Sequence, residues 1–247
     1  MKNAKIELTP KGTATFFGFV ATCLVVVHFL TFIPKYTLGN NGNDTVAKLL
    51  LMFNLDEERN IPTFFSTVLI LSCSLLLFII AALQGKNGKN RKLWLGLALV
   101  FLFLSFDEAF ALHERLTKPL RSILHTSGIF YFAWMIPYAL LVGIMTVCYA
   151  PFLLKLPKHP RNLMFIAGIL YISGALGMEM LGGWYWSKGQ RALIFDLIAT
   201  CEEVLEMAGM ILFQYALFVY IGSVWTNVHI QLAIGSGIES ENPTEKS

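Results

Sequence analysis

The chain has 247 residues, of which 55% are hydrophobic and 20 are Phe, with a mean hydropathy of +0.61 and a formal net charge of +3. A soluble domain is typically about 45–50% apolar, so this composition excludes an ordinary soluble enzyme and points to an integral membrane protein. The net charge comes mostly from short loops between the apolar runs, so it describes topology rather than nucleic-acid binding.

Crossing about 30 Å of hydrocarbon takes about 20 apolar residues. Runs of that length fall at about Thr13–Phe32, Thr63–Leu83, Leu93–Leu112, Phe130–Leu154, Leu163–Gly183 and Glu203–Gly222. The expected fold is therefore all-α, a polytopic membrane bundle of six helices. Residues 1–226 form one membrane domain and 227–247 a polar, disordered cytoplasmic tail. The first run follows a basic segment but has no small-residue cleavage site after it, so it reads as a retained anchor and not a signal peptide. Between the first two spans, the apolar stretch Val46–Phe53 precedes Asp56, Glu57, Glu58 and Arg59, a pattern that suits a short helix lying in the interface. Pro62 then falls in the first turn of the second span, where its missing N–H is not needed.

Lys and Arg set the orientation, because cytoplasmic flanks retain an excess of them. Placing both termini inside puts eleven of the nineteen basic residues on the inner side, including Lys86, Lys89, Arg91 and Lys92 in one short loop and Lys155, Lys158 and Arg161 in another. The expected location is the bacterial inner membrane, with membrane lipid as the surrounding partner and a homo-oligomer or a membrane partner left open. Cys23, Cys73, Cys148 and Cys201 lie in or at the edge of spans, where they read as apolar core residues and not disulfide partners. Trp94, Trp134, Trp184, Trp186 and Trp225 read as headgroup-level anchors. In the fifth span, Ser173 and Gly177 lie at the spacing of a close helix-packing seam.

Ionisable residues inside these runs are the anomaly. Membrane carboxylates are costly and generally have a partner, a metal or a water-filled cavity. Counting back at 1.5 Å per residue, His28, Asp107 and Glu179 lie about 6–8 Å inside the outer ends of their spans, and Glu206 about 5 Å inside its own. Twelve of the sixteen acids fall on the outer side. Asp107 and Glu114, seven apart, share a face of an unbroken helix, with Glu108 about 100° round from Asp107 and His113 pointing away. Glu202, Glu203 and Glu206 occupy an arc of about 100° on the last span.

Like charges so crowded need a cation, protons or water among them. The first reading is a metal site. Asp107, Glu108, His113, Glu114, Glu179, Glu203 and Glu206 are the candidate ligands for a divalent ion, with Mn, Fe, Ca and Zn all compatible with carboxylate and imidazole donors. The ligand spacing of the well-defined metal motifs is absent. A bound metal would activate water or hold an oxygen of a lipid-borne substrate, with an unligated Glu as general base. The second reading is a proton or ion pathway built from protonatable carboxylates. The third is a structural or accessory subunit whose acids pair with basic residues such as Arg115, Arg121, Lys188 or Arg191. Glu202 alone reads as a helix-start acid meeting the dipole, and His28 as a hydrogen-bonded core histidine.

Phe53-Asn54-Leu55-Asp56-Glu57-Glu58-Arg59-Asn60-Ile61-Pro62-Thr63, Leu104-Ser105-Phe106-Asp107-Glu108 running to His113-Glu114, Gly174-Ala175-Leu176-Gly177-Met178-Glu179, and Glu202-Glu203-Val204-Leu205-Glu206-Met207-Ala208-Gly209 resemble the elements of an uncharacterised group of bacterial multi-spanning inner-membrane proteins. The resemblance implies that the site lies on these elements and carries no activity with it. The chain is also similar to the alkaline ceramidase group in spanning the membrane many times. Those enzymes hold zinc with three histidines, whereas only His28 and His113 are placed to contribute here.

Overall fold

A computed structural model describes residues 9–37, 48, 51–189 and 193–225. Among these residues the regular structure is all helical, without strands: α1 (Pro10–Thr37), α2 (Ile61–Leu83), α3 (Arg91–Phe110), α4 (Leu112–Leu124), α5 (Met135–Leu153), α6 (Lys158–Ile172), α7 (Glu179–Ser187) and α8 (Leu193–Val224). A 3₁₀ turn covers Gly128–Phe130, and a π turn over Ser173–Met178 joins α6 to α7 in one rod. Six segments are long and apolar enough to cross a membrane: Pro10–Thr31, Ile61–Leu83, Arg91–Phe110, Met135–Leu153, Lys158–Ser187 and Leu193–Val224. The protein is a multi-pass membrane bundle. Most of the expected interfacial helix at 46–53 and the whole polar tail lie outside the described residues, although 51–53 are helical.

The helix boundaries have local causes. Asn60 caps α2 by accepting a 3.1 Å hydrogen bond from the Thr63 N–H, and Pro62 occupies the first turn. α3 stops at Ala111, which adopts a left-handed conformation (φ 48°, ψ 51°) while its N–H reaches back to the carbonyls of Asp107 and Glu108. This conformation costs a residue with a Cβ about 1–2 kcal/mol, and it starts a new helix on a new axis.

α8 is the hub, packing against α1, α2, α6, the π turn and α7, while α2 lies along α3. Where α2, α3 and α8 meet, Cys73, Leu77, Ile80, Trp94, Ala98, Ala216 and Leu217 are fully buried. Hydrocarbon tails are as apolar as these side chains, so close packing and hydrogen bonds hold the helices together. Ser74 Oγ donates to the Ala98 carbonyl at 2.8 Å, Ser105 Oγ to the Thr67 carbonyl at 3.1 Å, and Gln214 Nε2 to Ser72 Oγ at 2.5 Å. The seam between α6 and α8 runs through Gly174 and Gly209. A Cβ on Gly209 would sit 2.7 Å from the Tyr171 nitrogen, and one on Gly174 would sit 2.8 Å from the Glu202 carbonyl oxygen. Gly177, the expected seam residue, faces open space instead.

Two further expectations are corrected. Of the cysteines, only Cys73 is a core residue; Cys23, Cys148 and Cys201 are exposed on helix surfaces, and all four are free. Trp94 and Trp134 are buried and not headgroup anchors. Trp184, which is partly exposed and carries the Lys188 ammonium 3.4 Å above its ring, keeps the geometry of an interfacial anchor.

Candidate functional site: a carboxyl-lined cavity

A cavity of about 530 Å³ lies between α3, α5, α6 and α8. Carboxyl groups line one end of it, converging from five segments of the chain. Asp107 and Glu108 come from the end of α3 and Glu114 from α4; Glu179 comes from the start of α7, Glu202, Glu203 and Glu206 from α8, and Asp56 and Glu58 from the segment before α2. The single imidazole among them is His113, and no Lys or Arg lines the cavity among the described residues. Towards the other end, the wall is Trp94, Leu97, Phe101, Met145, Leu153, Met164 and Phe213.

Asp107 organises the carboxyl end. Its Oδ1 accepts from the His113 backbone N–H at 2.9 Å and from Tyr138 Oη at 2.8 Å, and its Oδ2 lies 3.1 Å from His113 Nδ1. It therefore satisfies an otherwise open N–H in the first turn of α4 while holding the imidazole and the start of α5. The break at Ala111 makes this possible. On an unbroken helix His113 would point away from Asp107, but the left-handed residue turns it back. Its Nε2 then lies 3.7 Å from Glu58 Oε1, and Trp134 packs on its ring with centroids 4.7 Å apart. Burial pulls the His113 pKa down, but the hydrogen bond and charge of Asp107, with Glu58 and Glu108, outweigh this and push it up to about 9. Burial, followed by the charge of Glu108, raises Glu58 to about 8. Both ring nitrogens thus face carboxylates as an imidazolium's would. Glu58 Oε2 is buried without a hydrogen-bond partner.

Glu179 accepts a 3.0 Å hydrogen bond from Trp134 Nε1 and lines the cavity together with Glu202. Glu202 is not a helix-start acid, because α8 begins at Leu193 and its first-turn acid is Asp196. Nearly three turns in, Glu202 lies on the cavity wall. Glu206 lies against Gly174, where a Cβ would come within 2.9 Å of its Cγ.

Two other polar residues considered from the sequence lie away from the cavity. His28 is a buried core histidine whose Nδ1 accepts from the Leu55 N–H at 3.2 Å and whose Nε2 is 3.0 Å from Thr200 Oγ1. Arg121 stacks 3.7 Å above the Tyr131 ring. No group of three or more His, Cys, Asp or Glu side chains is drawn into metal-holding distance among the described residues. Asp56, Glu58, Trp134 and Tyr138 joined the site unforeseen. For Asp56 and Glu58 a signal existed, since two acids directly before a span are positioned to fold over its end.

Residues 17–221 match the family described as Domain of unknown function (DUF8692), and the chain belongs to that family. No curated protein and no solved structure matches it.

Proposed function

We propose that this member of the DUF8692 family is an inner-membrane protein that holds a divalent cation among the carboxyl groups of the cavity and acts there on a lipid-borne substrate. The observation carrying the reading is nine carboxyl groups on one cavity wall with a single imidazole and no Lys or Arg beside them. Such a group is tolerated in a membrane only with protons or a cation among its members. The orphaned oxygen of Glu58 is a further acceptor without a donor. The basic loops around Lys86–Lys92 and Lys155–Arg161 support placing the carboxyl end at the outer surface.

The roles divide by hydrogen bonding. Asp107 accepts three hydrogen bonds and His113 faces a carboxylate at each ring nitrogen, so both act as positioning groups. Glu108, Glu114, Glu203 and Glu206, free of such partners in the described contacts, are the ligands of choice, with Glu179 beside them. A cation held there would supply Lewis acidity towards a substrate oxygen. A carboxyl group of the wall left unligated would serve as the general base.

The test is elemental analysis of detergent-purified protein, comparing wild type with Glu203→Gln and Glu206→Gln and checking folding by circular dichroism. Stoichiometric metal in the wild type, lost in both folded variants, is expected. Wild-type protein that is metal-free and cannot be reloaded overturns the cation site. A second reading, proton transfer through neighbouring carboxyls, is favoured by Glu179 and Glu202 lining the same cavity. It predicts a proton flux in proteoliposomes that Glu202→Gln abolishes.

A further inference from the structure

The cavity is much longer than a cation site needs. On α3 its wall runs from Asp107 to Trp94, a stretch about 20 Å long at 1.5 Å per residue. That exceeds the roughly 15 Å depth of one leaflet's hydrocarbon. Its volume, about 530 Å³, is in the range of small-molecule sites. Beyond the carboxyl end the lining is hydrocarbon and aromatic, broken by Thr146 and the Tyr149 hydroxyl.

α5 creates this space. Among the described residues it follows no other long helix along a continuous backbone seam; instead, side chains fasten it at its two ends. Near its start Trp134 and Tyr138 bond to Glu179 and Asp107. Near its end Phe152 packs edge-on to Trp94 with centroids 5.0 Å apart, and the Tyr149 hydroxyl lies over Gly96. Between these fastenings Val142 and Met145 face the cavity. The wall residues Leu141 on α5 and Phe165, Ile169 and Ile172 on α6 are exposed on the membrane surface of the bundle. The cavity is thus open sideways, at hydrocarbon depth, between α5 and α6.

We infer that the cavity takes the hydrocarbon chain of a long-chain lipid entering sideways between α5 and α6, with an uncharged or cationic hydroxyl- or amine-bearing headgroup seated among the carboxyl groups. This rests on the lipid half of the proposed function and names its substrate class. Charge decides the headgroup. The wall offers acceptors but no Lys or Arg to neutralise a phosphate or carboxylate head, and the one imidazole there, His113, is engaged on both sides by Asp107 and Glu58. Hydroxyl and amine heads supply the donors that carboxylates accept. The apolar wall binds the chain, and the polar end fixes its orientation, the usual division in small-molecule sites.

The test uses three photoreactive probes with a diazirine at mid-chain: a hexadecanol, a hexadecylamine and a hexadecanoate. Each is added to full-length protein in nanodiscs, and the labelled residues are mapped by mass spectrometry. Gly168 lines the cavity and a Cβ there meets open space, whereas Gly143 meets open space away from the cavity. Gly168→Phe should therefore plug the chamber, and Gly143→Phe serves as its control. The alcohol and amine probes should label Val142, Met145 and Met210, with labelling about tenfold lower for the hexadecanoate and about tenfold lower in Gly168→Phe. Gly168→Val, a smaller plug, should give an intermediate loss. Labelling confined to outward residues such as Ile144 and Val147, or cavity labelling unaffected by either plug, overturns the chain site. Equal labelling by the hexadecanoate overturns the headgroup assignment. Metal analysis of the same samples separates the two ideas. Metal-free protein that still labels the chamber sinks the cation and keeps the lipid, while metal-loaded protein labelled only on its outward face does the reverse.

Discussion

α2 and α5 are both apolar spans, yet 56% of the α2 span is buried inside the protein and only 6% of the α5 span. α2 is gripped along its length, with Leu69, Cys73, Leu77 and Ile80 fully enclosed and its serines stitched to α3 and α8. α5 is held at its ends and leaves space behind its middle. The contrast shows that hydrophobicity selects which segments enter a membrane but does not decide which ones pack. Close packing goes to helices carrying small residues and hydroxyls at the contact, as α2 does at Ser74 and α8 at Gly209. The unpacked helix is the one next to the carboxyl groups.

Three experiments would break or sharpen this comparison. The largest effect is expected from Asp107→Ala, which removes the anchor of α5 and leaves His113 facing Glu58 alone. Breaking a buried pair from one side costs about 3–5 kcal/mol. The loss should appear as a lower thermal midpoint together with faster trypsin cleavage around α4 and α5, and a midpoint unchanged from wild type would refute the anchoring role. Next, Leu77→Ala in the gripped helix should cost about 2–5 kcal/mol, whereas Met145→Ala in the suspended one, which borders space already open, should cost under about 1 kcal/mol. Denaturant unfolding in mixed micelles measures both, and equal costs would mean that α5 packs as tightly as α2.

The third test is the pH profile. The His113 pKa is raised from its ordinary 6.5 to about 9, so its stabilising contribution is complete below about 6.5 and disappears as pH rises through about 9. Glu58 is raised from 4.5 to about 8, so its contribution likewise falls as pH climbs from 4.5 through 8. Thermal midpoints measured from pH 5 to 10 should therefore decline throughout that range. His113→Gln should remove the step near pH 9, and Glu58→Gln should flatten the fall below pH 8. A profile flat to pH 10 in the wild type contradicts both assignments.

Much of this architecture was legible in the sequence because it rests on composition. The six spans follow from hydrophobic length, and Asp107, Glu108, Glu114, Glu179, Glu203 and Glu206 stand out because acids are scarce in such runs; all six reach the same cavity wall. The unreadable parts depend on single dihedrals and long-range contacts. Ala111 gives no hint that it will turn left-handed, yet that one residue decides where His113 points. Three acids at the middle of α8 lowered the local hydropathy and moved the apparent start of the span to Glu203, ten residues beyond Leu193, which made Glu202 resemble a helix-start acid. Trp134 has the composition of an interfacial anchor, and only the approach of α7 supplies Glu179 as its acceptor.

The π turn at Ser173–Met178 has a consequence for how the gene can vary. One surplus residue in a helical rod shifts the angular position of everything after it by about 100°. α6 is thereby phased for its glycine-lined seam with α8, and α7 is phased independently to aim Glu179 at the chamber. Deleting a single codon from this stretch would leave six spans, every acid and the overall hydropathy intact. It would nevertheless rotate Glu179 away from Trp134 and Glu202, so in this chain the length of the segment between Tyr171 and Glu179 carries information that its residue identities alone do not.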